Sequence, residues 1–340
     1  MQYNEAGCAA EEYRIKYLRG MEKLIGGMEQ EAVEKRKAYC RDLMKDKEPY
    51  RKKLAELLGW PLTEKRDQTP PNVVIQRLAQ EENYLIDRMQ FTVMEDFVIT
   101  GLLFRHIGNG DRPIVIAQHG GEGTPELISG ISKTTGNYNH MVERILANGA
   151  NVFAPQLLLW SENLYKPNYD RNMLDARLKN VGSSVTALEI YALIRILDYF
   201  EQQEWVTKIG MVGLSYGGYY TQLTAALDTR IKAAISCSYF CDAMHWVKPD
   251  WSFNGIAECF GEAEIACLVH PRKLFLEMGN KDNLFDYQKS IREYEKIRAI
   301  CNGNTDDWLD FTVFDGEHEF YKEDDHIKKL IECLREEGKE

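Results

Sequence analysis

Apolar positions change period twice along this chain. From Glu11 to about Leu58 they recur at helical spacing, with one stripe at Tyr13, Tyr17, Met21, Leu24 and Ile25 and another at Leu54, Leu57 and Leu58. Gly59-Trp60-Pro61 closes that region. From Asn72 the pattern alternates at the strand period, and Val73–Ala79, Tyr84–Met94 and Phe97–Arg105 are expected as successive antiparallel strands. Short apolar runs then predict buried strands at Pro113–Gln118, Asn151–Ala154, Lys208–Val212, Ile231–Ser236, Lys273–Glu277 and Phe311–Phe314. Helical patterns separate them: Tyr138–Ala147, Ser183–Gln203, the stretch from Gly217 to Leu227, and a last amphipathic helix over Asp324–Glu336.

An antiparallel start followed by strand–helix alternation implies an α/β architecture. The expectation is a mostly parallel central sheet with antiparallel N-terminal strands, helices on both faces and a helical N-terminal extension. The division is expected as residues 1–72 for the extension and 73–340 for the main domain. The extension is read as packed on that domain; a dimer arm or a wall of a substrate cleft are the alternatives.

Composition narrows the function. In 340 residues, hydrophobic content is 44%, charged content 28% and the formal net charge −11. That balance fits a globular protein and opposes binding to nucleic acid or anionic membranes, which want a basic face. No secretory leader pattern or spanning apolar segment is visible, and eight scattered cysteines fit reduced thiols. A cytoplasmic location is the expectation. Cys237 and Cys241 lie four apart without a second such pair, so neither metal nor cofactor is expected.

The chemistry concentrates at Gly213-Leu214-Ser215-Tyr216-Gly217, a G-x-S-x-G stretch between an apolar strand and a helix. A serine on such a turn is pushed out of the sheet with its hydroxyl exposed, and small neighbours permit the bend. A serine hydroxyl needs a base, and the base needs an orienting acid; after such an elbow they follow in the order acid, histidine. His318, in Asp315-Gly316-Glu317-His318-Glu319-Phe320 directly after the last strand, is the candidate base. Asp282, on the loop after Lys273–Gly279, is the candidate acid, with Asp286 as the alternative or a helix N-cap. Glu277 lies inside the strand and Glu262 and Glu264 precede it, which suits structural roles. Charge on a carbonyl oxygen needs preorganised N–H donors. Tyr216 supplies one, and the glycine loop after Pro113–Gln118 supplies the other, from Gly121 first and Gly120 next. His119 is read as holding that loop. A phosphate-cradling loop is the competing reading of these glycines, but the G-K-[ST] ending is absent. Trp160, Tyr239 and Phe240 are candidate substrate contacts, with Trp246 and Trp251 nearby; all are equally placed to form the apolar underside of a cap.

These residues resemble the α/β-hydrolase superfamily, and more closely its bacterial dienelactone-hydrolase-like and acetyl-xylan-esterase-like serine esterases. The resemblance is carried by His119-Gly120-Gly121, Gly182-Ser183-Ser184, Ile209 to Gly218, Ala225 to Ala233 and Ala263 to Arg272, and covers about Val73 to the C-terminus. It implies a cofactor-free hydrolase of carboxylic esters, with short acyl groups such as acetyl on sugars or small molecules as substrates. Dienelactone hydrolases proper use a cysteine nucleophile; serine at position 215 favours an esterase. The elbow also looks like that of prolyl-oligopeptidase-type peptidases, though too few residues precede the first strand for their propeller. A catalytically silent binding protein on the same scaffold is the third reading. A homo-oligomer through the N-terminal helices is the one macromolecular partner anticipated.

Overall fold

The computed structural model describes residues 2–67, 69–108, 110–159, 169–242 and 248–336. Nine strands form one sheet: β1 (Asn72–Gln80), β2 (Tyr84–Met94), β3 (Phe97–His106), β4 (Arg112–Gln118), β5 (Asn151–Pro155), β6 (Val206–Leu214), β7 (Ile231–Cys237), β8 (Lys273–Gly279) and β9 (Leu309–Phe314). Their spatial order is β1-β2-β3-β5-β4-β6-β7-β8-β9. β1, β2 and β3 run antiparallel, β3 pairs antiparallel with β5, and every pairing from β5 to β9 is parallel. Each expected strand is present, mostly one or two residues longer than its apolar run.

The parallel strands are covered on both faces, which is why they read as unbroken apolar runs. In β4, Ile114 and Ile116 point into one cluster while Val115 and Ala117 point into the other. The larger cluster collects α2 (Glu48–Leu58), α6 (Val185–Phe200), α7 (Tyr216–Leu227), α8 (Glu262–Cys267) and Ile297 of α9 (Tyr287–Ile300). The opposite cluster collects α3 (Pro125–Ser129), α4 (Met141–Ala147) and α10 (Asp325–Arg335). A short helix, α5 (Arg171–Lys179), lies between β5 and α6 in sequence. Sequence signals locate several helix starts: Thr124, Asp170, Ser184 and Asp286 each accept a backbone N–H at the head of their helix.

The N-terminal region departs from expectation in how it packs. It holds two helices, α1 (Ala9–Tyr39) and α2. Leu54 and Leu58 of α2 join the core, but in α1 only Ala32 and Arg36 are buried. Arg36 donates to the Ala257 carbonyl and pairs with Glu264 at 3.5 Å, fixing the C-terminal end of α1 to the body. The stripe Tyr13, Tyr17, Met21, Leu24 and Ile25 faces away from every described residue of the core, so packing on the domain is restricted to the end of the helix. All eight cysteines are unpaired. No helix among the described residues is long and apolar enough to cross a membrane.

Candidate active site

Ser215 sits between the end of β6 and the start of α7 with φ +60° and ψ −119°. A side-chain-bearing residue adopts such a backbone only when its surroundings hold it there. Two glycines make the turn feasible. A Cβ on Gly213 would lie 2.2 Å from the backbone of Gly217, and one on Gly217 would lie 2.3 Å from the Gln118 carbonyl. The Ser215 N–H donates to Cys237 of the neighbouring strand at 2.9 Å, and its carbonyl accepts the Tyr219 N–H, so the turn is tied to sheet and helix together.

Asp282 and His318 come from the loops after β8 and β9, adjacent strands of the sheet. His318 Nδ1 lies 2.8 Å from Asp282 Oδ2. The Asp282 side chain is fully buried, and its other oxygen accepts the N–H groups of Leu284 and Phe285 at 2.8 and 3.0 Å. With Nδ1–H given to the carboxylate, the imidazole lone pair is on Nε2, where a base needs it. Phe285 stacks on the His318 ring at 5.6 Å. Asn137 holds the His318 carbonyl at 2.9 Å, and Ser238 donates to the Glu319 carbonyl at 3.2 Å. The histidine loop is thereby held against the residues that follow β7, next to the serine turn. Asp286 instead caps α9 through the Gln288 N–H. Glu277 pairs instead with His326 at 2.9 Å in the core. Glu264 caps its own helix through Gly261, and burial holds Glu262 up to about 8.

The glycine loop lies on the serine. A Cβ on Gly120 would meet the Ser215 Cβ at 3.0 Å. Gly120 itself is corrected as a donor, because its N–H is committed to the Tyr138 hydroxyl at 2.8 Å. Gly121 follows it in the same loop. His119 is fully buried, donates from Nδ1 to the Gly120 carbonyl at 2.8 Å, and accepts the Leu157 N–H on Nε2 at 3.0 Å. Burial lowers its pKa to about 4, so it is a neutral clip between the β4 and β5 loops.

Of the aromatic candidates, Trp160 and Trp246 lie outside the described residues. Phe240 is fully buried, and Tyr239 packs edge-on against Tyr219 and Trp251. Phe240 is therefore core rather than a substrate contact: an aromatic ring without a polar atom is cheapest inside. Beside the glycine loop opens a cavity of about 1020 Å³, bounded by Gly123 and Thr124 and walled by Phe97, Ile99, Leu157 and Leu178. Among the described residues no cluster of three His, Cys, Asp or Glu side chains is placed to hold a metal ion.

One network escaped sequence reasoning. Arg171 is buried between Asp250, at 2.8 Å, and Glu189, at 3.0 Å, and also donates to the Leu158 carbonyl and the Tyr220 hydroxyl. Burial opposes its charge, but Tyr220, Glu189 and Asp250 outweigh that and raise its pKa. Asp250 accepts the Tyr216 hydroxyl at 3.0 Å, and Glu189 accepts the Leu158 N–H at 2.6 Å. The network ties the residue after the serine to the loops after β5 and β7. A carboxylate inside the apolar helix Val185–Phe200 was its one visible trace in the sequence.

A serine on a strained strand-to-helix turn, with a histidine–carboxylate pair on the loops of the next strands, belongs to one architecture. The chain has the α/β-hydrolase fold. Residues 127–250 match the model of the Dienelactone hydrolase family, a stretch that holds the serine turn but ends before Asp282 and His318. A Bacteroides fragilis protein assigned as an acetyl xylan esterase superposes with a TM-score of 0.65 at 18% identity, over 81% of this chain and 75% of that one. A glucuronoyl esterase from Solibacter usitatus gives 0.63 at 13% identity, over 86% and 93%. Acetyl xylan esterase 1 from Thermoanaerobacterium gives 0.56 at 13% identity, over 85% and 93%. In sequence, YtaP of Bacillus subtilis, designated a hydrolase, is 26% identical over 132 residues. That match spans 36% of this chain and 44% of the relative's length. These likenesses fix the hydrolase fold; the chemistry rests on the side chains this fold brings together.

Proposed function

We propose that the protein is a serine hydrolase of carboxylic esters. Ser215 Oγ attacks the ester carbonyl while His318 Nε2 takes its proton, and Asp282 orients and stabilises the imidazolium. The backbone N–H groups of Tyr216 and Gly121 receive the negative oxygen. The tetrahedral intermediate expels the alcohol, which leaves with the proton from His318. Water, deprotonated by the same histidine, then attacks the acyl-enzyme and releases the acid. The observation that carries this reading is the 2.8 Å His318–Asp282 contact at the loops flanking a serine with φ +60°. The Dienelactone hydrolase family match and the esterases among the structural neighbours favour esters over amides.

The apolar cavity at Gly123 and Thr124 suits the larger, apolar part of an ester, with a short acyl group over the serine. The test is a fluorophosphonate probe with a substrate panel of p-nitrophenyl acetate, acetylated xylan oligosaccharides and a prolyl anilide. One label per chain and turnover of acetyl esters are expected, with both absent in Ser215→Ala. Undiminished labelling of Ser215→Ala excludes that nucleophile. Anilide cleavage without ester turnover replaces the esterase with a peptidase.

A further inference from the structure

The outer part of α1 is a helix with an apolar face that no described residue buries. Residues 9–28 span about 30 Å at the helical rise. Tyr13, Tyr17, Leu24 and Met28 are 68%, 72%, 64% and 62% exposed, and Leu18, Met21 and Ile25 are exposed beside them. The stripe is ordered. Tyr17 and Leu24, Met21 and Met28, Gly20 and Gly27, and Leu18 and Ile25 are each seven residues apart, the repeat of a helix that packs along another helix. Tyr13, Lys16, Tyr17, Gly20, Met21 and Leu24 line a shallow groove, and a Cβ built on Gly20 or Gly27 meets nothing within 4 Å. Three glycines inside one helix weaken it unless a partner compensates.

We propose that a second copy of this chain covers that face, the two α1 helices packing antiparallel and crossing near Gly20 and Met21. Charge sets the direction. Residues 9–20 carry Arg14, Lys16 and Arg19 against Glu11 and Glu12, whereas residues 21–31 carry Lys23 against Glu22, Glu29 and Glu31. An antiparallel pair sets each basic half on an acidic half, and a parallel pair sets like on like. The crossing falls on Gly20, which has no side chain to hold the backbones apart. A two-fold axis through it makes the patch self-complementary, as a closed dimer requires. At roughly 100 Å² per side chain the seven large residues supply about 700 Å² per copy, near the ~800 Å² per partner of a stable interface. The same helix is a poor fit to an anionic membrane, because its seven basic residues are matched by six acidic ones rather than forming a basic face, and the whole chain carries −11.

Sedimentation velocity of the full chain at micromolar concentration tests the proposal. A dimer is expected, with Tyr17→Glu/Leu24→Glu monomeric and its dissociation constant raised roughly 100-fold or more. Because this part of α1 leaves the core untouched, the double variant keeps its ester turnover and main thermal transition. Direction is read by mild oxidation: Met21→Cys cross-links to its own copy, whereas the native Cys8, exposed near the start of α1, does not. A monomeric wild type overturns the proposal, whether inert or floating with phosphatidylglycerol vesicles. So does a dimer that survives the double substitution. Cross-linking through Cys8 as readily as through position 21 overturns the antiparallel arrangement.

Discussion

At the scale of single residues, the two aspartates four apart on one loop are separated by what they touch. Asp282 lies on His318 Nδ1, and the Asp286 side chain accepts the Gln288 N–H at the head of α9. Asp282→Asn is expected to lower kcat by roughly 10⁴-fold, because it allows the histidine the wrong tautomer, with little loss of folding. Asp286→Ala is expected to leave kcat near normal and to cost about 1 kcal/mol for a lost helix cap. Steady-state kinetics beside thermal melts of both variants check the pair, and the reverse pattern moves the acid to Asp286. Serine, histidine and aspartate were legible in the sequence because each occupies a short loop at the end of an apolar run. Gly120 shows the limit of that reading. Glycine at a site announces an available backbone, but only the fold reveals that Tyr138 has taken its N–H.

Among the elements, legibility followed burial. Strands covered on both faces, and α6 with its nearly continuous apolar surface, stand out because little polar sequence interrupts them. Of α9 only the cap at Asp286 was legible, since only Ser290, Glu293 and Ile297 of its fourteen residues are buried, too thin a stripe to show. α5 fully buries only an arginine and an aspartate, with Leu174 and Leu178 half-buried at the cavity, so its apolar signal is thin. The reason for those charges is the link Arg171–Asp250–Tyr216, joined across 79 and 34 residues of sequence. Its place argues that Asp250 steadies the Tyr216 backbone, whose amide is the proposed oxyanion donor. Asp250→Asn is expected to reduce kcat roughly 10- to 100-fold with a smaller change in KM, since a misplaced donor costs transition-state stabilisation. Lower thermal stability with kcat intact would instead make the network purely structural.

For the whole molecule, the buried neutral His119 makes stability depend on acidity. Its folded pKa of about 4 lies below the unfolded 6.5. The unfolded chain therefore binds the extra proton first as pH falls, and stability is full above 6.5 and declines as pH drops toward 4. The loss is on the order of 3 kcal/mol when complete. Chemical denaturation at pH 7 and pH 4.5 is expected to show that decline, and His119→Asn to lessen it. An equal decline in the variant places the sensitivity in other groups.

The site is also spread along the chain in a particular order. The serine turn is closed by β6, β7 and α7, whereas the base arrives only after β9, about a hundred residues later. At the ~10 residues per second of protein synthesis, about ten seconds separate the making of Ser215 from that of His318, the base of the proposed mechanism. On the proposed mechanism the serine turn is made unarmed, and gains its base only once the loop after β9 has followed it.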